Sequence, residues 1–360
     1  MNAETALTWS WLNVLTKKRY DALKGAFGSL EDALQHMGPE LLRSLGCREE
    51  TVLSALNRLE EFEPDAYAAQ LQKRGILFTS LEEDAYPAQL REIADPPVFL
   101  YYKGSIKILR QPCIALVGTR DISAYGKRVT EAIVPELVRA GVTTVSGLAM
   151  GIDAQVARDT LAANGQTVAV LAHGLAGVYP RGNAKLAQEI VANGGALLSE
   201  FPMDAMPDKY AFVARNRVIA GLALGTVVLE AGEGSGALIT AGLALEYGRE
   251  VFAVPGQIFD PHYAGCNLLA SRGQAKLLTA TADILHECGI VQPEPTEHPA
   301  YVPQHAVEET VYSTLTTMPQ SVPDLVTQAG IEAASINAVL TLLELSGAAK
   351  NVGGGMWVRR

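Results

Sequence analysis

Six short, continuously apolar runs, at residues 113–117, 143–146, 167–172, 196–199, 226–230 and 250–254, alternate with stretches of helical periodicity. A strand with one wet face alternates apolar and polar residues, whereas an unbroken apolar strand is covered on both faces. The intervening stretches of roughly 10 to 15 residues are long enough for helical crossovers between parallel strands. The pattern therefore predicts a doubly wound, mostly parallel sheet with helices on both faces. Residues 76–103, which include Pro96-Pro97-Val98-Phe99-Leu100-Tyr101-Tyr102, predict one or two further strands at its edge.

Two smaller modules flank this sheet domain, which is expected over residues 73–288. Residues 1–72 repeat apolar positions at helical spacing, as in Leu23, Phe27 and Leu30 or Val52, Leu56 and Leu59. They predict a small helical domain, and the Leu45-Gly46-Cys47 turn is similar to those of helix-hairpin-helix or SAM-type domains. Residues 289–304, centred on Gln292-Pro293-Glu294-Pro295-Thr296-Glu297-His298-Pro299, are Pro-rich and poor in large apolar residues, as a linker is. Residues 305–360 then give three helical stretches and a strand pair around Gly353-Gly354-Gly355-Met356-Trp357-Val358, the order of a winged helix. From 301 to 360 the bases Lys350, Arg359 and Arg360 face the acids Glu308, Glu309, Asp324, Glu332 and Glu344. A recognition helix without Lys or Arg argues against major-groove reading and in favour of protein contact or autoregulation.

The chain of 360 residues is 48% hydrophobic, enough for a sizeable core, yet it holds no apolar run of membrane-spanning length. Its start, Met1-Asn2-Ala3-Glu4-Thr5, lacks the features of a secretory signal, so a soluble, cytoplasmic protein without membrane contact is expected. Cys47, Cys113, Cys266 and Cys288 are widely spaced, which indicates neither a disulfide framework nor a zinc site. A net charge of −10 argues against a protein that coats duplex DNA over its whole surface. Any nucleic-acid site has to be local.

In open parallel sheets, ligands lie beyond the carboxyl ends of the strands. Here those positions are glycine-rich: Val117-Gly118-Thr119-Arg120, then Ser146-Gly147-Leu148-Ala149-Met150-Gly151-Ile152-Asp153, then Glu230-Ala231-Gly232-Glu233-Gly234-Ser235-Gly236-Ala237-Leu238-Ile239-Thr240. The last two open helices, where free backbone N–H groups and the helix dipole suit phosphate. Neither a GxGxxG with an acid ~20 residues on nor a GxxxxGK[ST] is present, which disfavours NAD binding and ATP hydrolysis. No cofactor or metal is expected. Ser146 and Ser199 stand outside any GxSxG elbow, and His173, His262 and His286 have no partner that the sequence assigns. Glu230 and Asp153 are expected to hold Arg120, Arg215 or a loop N–H in place rather than to act as acid or base.

Asp208-Lys209-Tyr210-Ala211-Phe212-Val213-Ala214-Arg215-Asn216-Arg217 adds cations, rings and an amide at the start of a predicted helix. At ~100° per residue, Phe212 and Asn216 fall within about 60° of Lys209 and Arg217 about 80° away, while Arg215 points elsewhere, toward a structural carboxylate. Cations for phosphates beside a ring for unpaired bases are what a single strand demands. Together with Arg120, Lys127 and Arg128 this helix could form the local basic patch.

These segments resemble the DNA-processing protein A family (DprA, also called Smf) over nearly the whole chain. The resemblance rests on Val117-Gly118-Thr119-Arg120 with Ser123-Ala124-Tyr125-Gly126, on residues 146–153, Val178-Tyr179-Pro180 and Ser199-Glu200-Phe201-Pro202, and on the run from Phe212 to Gly221. It extends through Glu230-Ala231, Gly234-Ser235-Gly236 with Thr240-Ala241, and Val254-Pro255-Gly256. It implies an extended Rossmann-like domain with a SAM-like head and a winged-helix tail, which binds single-stranded DNA without sequence preference. It further implies a homodimer that protects incoming DNA in natural transformation and helps to load the RecA recombinase. By the family pattern, Arg120, Lys209, Phe212 and the Arg215-Asn216-Arg217 run line the DNA pocket. Gly118, Thr119, Ser146, Gly147, Gly151, Gly234, Ser235, Gly236 and Thr240 are expected around them, the glycine loops giving backbone donors. The dimer contact is expected around residues 268–285. The glycine loops also resemble those of Rossmann-type nucleoside-monophosphate phosphoribohydrolases, an alternative in which Glu230 or Asp153 would be catalytic. Against it, Glu230 precedes the glycine loop instead of following it. A sequence-specific repressor would need basic residues that the would-be recognition helix lacks.

Overall fold

In a computed structural model of the chain, which describes residues 1–291 and 301–359, each of the six apolar runs is a parallel strand of one nine-stranded sheet. In chain order the strands are β1 (Leu77–Ser80), β2 (Phe99–Gly104), β3 (Cys113–Gly118), β4 (Thr143–Ser146), β5 (Thr167–Val170), β6 (Ala196–Ser199), β7 (Gly225–Glu230), β8 (Glu250–Ala253) and β9 (Lys276–Leu277). They lie in the order β1-β2-β6-β5-β4-β3-β7-β8-β9. From β6 to β9 every neighbouring pair is parallel, while β1 and β2 add an antiparallel edge. Every residue of β4, β5, β6 and β7 is buried, which is why these strands read as unbroken apolar runs. The two-residue strand β9, exposed at both positions, has too few residues to show a period and escapes a sequence reading.

The topology places the site. From β3 the chain crosses to β4 on one side, and from β7 it crosses to β8 on the other, although β3 and β7 are themselves paired. Their carboxyl ends therefore diverge and leave a crevice at the switch point.

The helical head is built as expected but is not a separate packing unit. Its helices run Ala3–Leu12, Lys17–Phe27, Leu30–Gln35, Pro39–Ser44, Glu49–Glu60 and Pro64–Lys73. Trp9, fully buried, belongs to the same apolar core as Leu100 and Leu116 of the sheet. Its indole Nε1 donates to the Leu30 carbonyl at 3.0 Å. Behind it Ser10 Oγ and Tyr101 Oη, the latter on β2, lie 2.5 Å apart, Tyr67 Oη donates to Tyr101 Oη at 3.2 Å, and Met203 N donates to Tyr67 Oη at 3.1 Å. This buried hydroxyl chain ties two head helices to the sheet. The boundary at residue 72 is thus a change of secondary structure, and the first compact unit comprises head and sheet together.

Residues 301–359 form a second unit with its own core of Val311, Leu325, Ile336, Leu340, Leu343 and Trp357. Helices Ala306–Thr314, Val322–Ala329 and Ala333–Leu345 pack on a small sheet in the order β10 (Gln320–Ser321), β12 (Met356–Arg359) and β11 (Ala349–Gly353). This is a winged helix. The Pro-rich segment from Gln292 to Pro299 lies outside the described residues. No single described helix is long and apolar enough to cross a membrane.

Deleting residues 1–72 uncovers Tyr101 and the core around Leu100, so the truncated chain is expected to melt at a lower temperature than the full chain in calorimetry. An unchanged midpoint would show the head to be an independent domain.

Candidate nucleic-acid interface

At the switch point a cleft of about 600 Å³ opens between the turn after β3 and the loop after β7, with one helix along its side. The turn supplies Gly118, Thr119 and Arg120, the loop Gly232 to Ala237, and the helix Lys209–Leu222 supplies Phe212, Val213, Asn216 and Ile219. Thr240, Pro261 and His262 also line it, with Val117, Ala149, Asp153, Arg215 and Ile239. The helix starts where its sequence dictates, because the Asp208 side chain accepts from Tyr210 N at 2.7 Å and caps the first turn.

Arg215 fixes that helix from beneath. Its guanidinium is buried, and Nη1 donates to the carbonyls of Gly147 (2.7 Å) and Val170 (2.6 Å), at the ends of β4 and β5. A Cβ on Gly147 would stand 2.1 Å from Nη1, so this position admits only glycine while the guanidinium stays in place. Arg215 Nε donates to Asn216 Oδ1 at 3.2 Å, and Asn216 Nδ2 donates to the Gly236 carbonyl at 3.3 Å. One arginine and its neighbour therefore link the ends of β4 and β5 to the start of the helix Gly236–Glu246. The countercharge is Asp153, whose Oδ2 accepts from Gly147 N (3.1 Å) and Ala149 N (3.3 Å). Burial pushes the Asp153 carboxyl up, against the pull of Arg215 and the loop N–H groups, and burial lowers the Arg215 guanidinium.

This geometry revises two expectations. In the loop after β4 three donors are taken, because Gly147 N and Ala149 N are held by Asp153, and Ile152 N donates to Thr119 O at 3.0 Å, while the N–H groups of Leu148, Met150 and Gly151 have no partner among the described residues. Ser146 is buried with Oγ donating to Leu116 O at 2.7 Å. Gly151, at φ 78°, lets that loop approach the first turn, since a Cβ there would meet Thr119 O at 2.3 Å. Ser146 and Gly147 thus have their hydrogen-bonding groups committed to the scaffold, whereas the Gly151 N–H has no partner among the described residues. In the Arg215-Asn216-Arg217 run, Arg215 and Asn216 carry scaffold hydrogen bonds and still line the cleft, whereas Arg217 does not reach it. Arg217 turns away from the cleft to pair with Glu200, with Asp95 Oδ2 at 3.8 Å from its Nε, while burial raises the Glu200 carboxyl.

What remains available is smaller and better defined. Arg120 is exposed, with its guanidinium carbon 5.3 Å from the centre of the Phe212 ring. Tyr179, a residue of the Val178-Tyr179-Pro180 motif to which sequence reading assigned no role, brings its half-exposed ring to 6.1 Å from Phe212. Lys209 is exposed on the first helical turn beside Tyr210. Neither Arg120 nor Lys209 has an ion-pair partner among the described residues. Across the cleft, Ser235 caps the helix Gly236–Glu246, and the N–H groups of Gly234 and Gly236 have no partner among the described residues. That is an anion-ready helix terminus facing a ring and cations.

Glu230 is fully buried beneath the first turn, where it accepts from Ser123 N (3.1 Å) and Ser123 Oγ (3.1 Å) at the start of helix Ala124–Arg139. Burial raises its carboxyl, against the Ser123 hydrogen bonds. It braces the turn carrying Arg120.

Comparison with known proteins identifies the family. The DNA recombination-mediator protein A family matches residues 77–289, more than half of the chain. The chain belongs to that family. The DprA winged helix domain matches residues 293–355. The DNA processing protein DprA of Bacillus subtilis is 42% identical over 234 residues, 64% of this chain and 78% of that protein. The X-ray structure of DNA processing protein A from Streptococcus pneumoniae aligns over 80% of this chain and 98% of its own, with a TM-score of 0.68 and 34% identity. DNA processing protein A from Helicobacter pylori, whose structure was described for its single-stranded DNA binding mode, aligns over 59% of this chain and 96% of its own, with a TM-score of 0.54 and 32% identity.

The brace and contact assignments separate in mutants. Arg215→Met leaves two buried carbonyls without donors and is expected to cost about 2 to 6 kcal/mol of stability in denaturant unfolding. Arg217→Ala should lower stability through the stranded Glu200 carboxylate and leave the nucleic-acid affinity of the folded protein unchanged. A selective affinity loss in Arg217→Ala would return that residue to the interface.

Proposed function

We propose that the chain binds single-stranded DNA without sequence preference through the cleft at the β3–β7 switch point. The observation that carries this reading is the Arg120–Phe212 pair facing the uncapped N–H groups of Gly234 and Gly236. Phosphates suit the cations and the helix terminus, unpaired bases suit the ring, and none of these groups reads base identity. The single-strand binding mode described for the Helicobacter pylori relative supports the same ligand.

The family supports a wider role in which bound strands are protected and RecA is loaded on them during transformation and recombination. A homodimer would place two clefts on one strand and raise avidity through effective concentration, despite the net charge of −10. The geometry favours binding over catalysis: Glu230 is sealed beneath the turn and Asp153 is committed to loop N–H groups.

Fluorescence anisotropy of a labelled ~30-nucleotide strand over a salt series tests the assignment. Arg120→Ala with Lys209→Ala should weaken binding and flatten the log–log salt slope by about 0.7 for each phosphate that is no longer neutralised. Unchanged affinity and slope would sink the assignment. Phe212→Ala should lose ~1 to 3 kcal/mol of binding with the fold intact by circular dichroism.

A further inference from the structure

The loop after β8 carries two unpartnered apolar side chains: Ile258 is 81% exposed and Phe259 is 92% exposed. The loop under them is firmly built. At its base Gly256 N donates to Asn267 Oδ1 and Asn267 Nδ2 donates to Gly256 O, both at 3.2 Å, and Tyr263 packs where a Cβ on Gly256 would stand. Asp260 N donates to Gln257 O at 3.0 Å, closing the tip into a turn, and His262 N donates to Asp260 Oδ1 at 2.9 Å. The same loop runs straight into the cleft, whose wall includes Pro261 and His262. A ring held outward on a pinned turn, at the rim of the cleft, is a platform without its ligand.

The charges on that rim select what can lie there. Glu233 lines the cleft on this side, and the Asp260 carboxylate sits on the turn itself, whereas the unpaired cations Arg120 and Lys209 lie with the turn after β3 and the Lys209–Leu222 helix. Beyond the N–H groups of Gly234 and Gly236, phosphates are repelled from the Asp260 turn, but uncharged base faces are not, and exocyclic amino groups are attracted to it. From this geometry we propose that Phe259, with Ile258 beside it, is a second stacking platform, which takes unpaired bases of the same single strand as they leave the cleft. This rests on the single-strand reading of the cleft and orients the strand where it leaves the cleft, with phosphates kept off the Asp260 turn and bases toward the loop after β8. It also makes the footprint longer than the cleft alone.

The test is anisotropy of the full chain with unlabelled competitor oligonucleotides of graded length, on wild type, Phe259→Ala and Phe259→Trp. Phe259→Ala should leave binding of the shortest bound strands unchanged and weaken longer ones by about fivefold or more, which is the lower end of one base stack. Phe259→Trp should restore the length dependence, and its emission should be quenched by single strand and not by duplex. Equal affinity at every length, or an equal loss at every length, would overturn the platform. A change in oligomeric state by analytical ultracentrifugation without a change in length dependence would overturn it in favour of a contact between copies of this chain. Wild type that fails to bind any single strand would remove the underlying reading of the cleft, whereas intact wild-type binding with a silent Phe259→Ala removes this inference alone.

Discussion

A buried guanidinium holds the site together. Arg215 has no carboxylate within ion-pair distance among the described residues, and it is accommodated because strand-end carbonyls and the nearby Asp153 replace the water it loses. Gly147 is gripped at both of its polar groups, the carbonyl by Arg215 and the N–H by Asp153, and its missing Cβ is the space the guanidinium occupies. Through Asn216 the same helix is tied to Gly236, so Phe212 and the glycine loop after β7 keep a fixed separation across the cleft. Order at the crest comes from this bracing beneath it, and the exposed groups are positioned as a consequence.

The distribution of charge explains how an acidic protein can present a polyanion site. Several of its cations are spoken for: Arg217 by Glu200 and Asp95, Arg249 by Glu92, Lys276 by Glu250 and Glu287. Arg120 and Lys209 are not, and both lie with elements that border the cleft. Two free cations and a helix terminus make a local field that the remote carboxylates, screened beyond about 8 to 10 Å at ordinary salt, do little to cancel. The winged helix adds no such field through its helix Ala333–Leu345, which carries no Lys or Arg.

Much of the architecture is legible in the sequence because burial on both faces leaves an unmistakable apolar run, and the start of the Lys209–Leu222 helix is legible because Asp208 is a good cap. The helical wheel also turns Arg215 away from the other cations. Motif resemblance pulls the other way, since it carries brace and contact residues together and cannot tell a guanidinium that holds carbonyls from one that meets phosphate. A bracing role for Asp153 is legible, but glycine-rich spacing looks the same whichever of its N–H groups are taken and whichever stay free. The shared core of head and sheet escapes for a related reason, because hydroxyl contacts such as Ser10 with Tyr101 span 91 positions and leave no local period.

The central claim is that nucleic acid is held at the β3–β7 switch point. Hydrogen–deuterium exchange of the full chain, with and without a saturating single strand, addresses it directly. The account predicts new protection at residues 118–121, 209–213 and 232–238, and at 257–260 for strands long enough to reach the loop after β8, with the bonded amides of Gly147, Ala149 and Ile152 little changed. Protection concentrated on the helix Ala333–Leu345, with the switch-point segments unaffected, would contradict it.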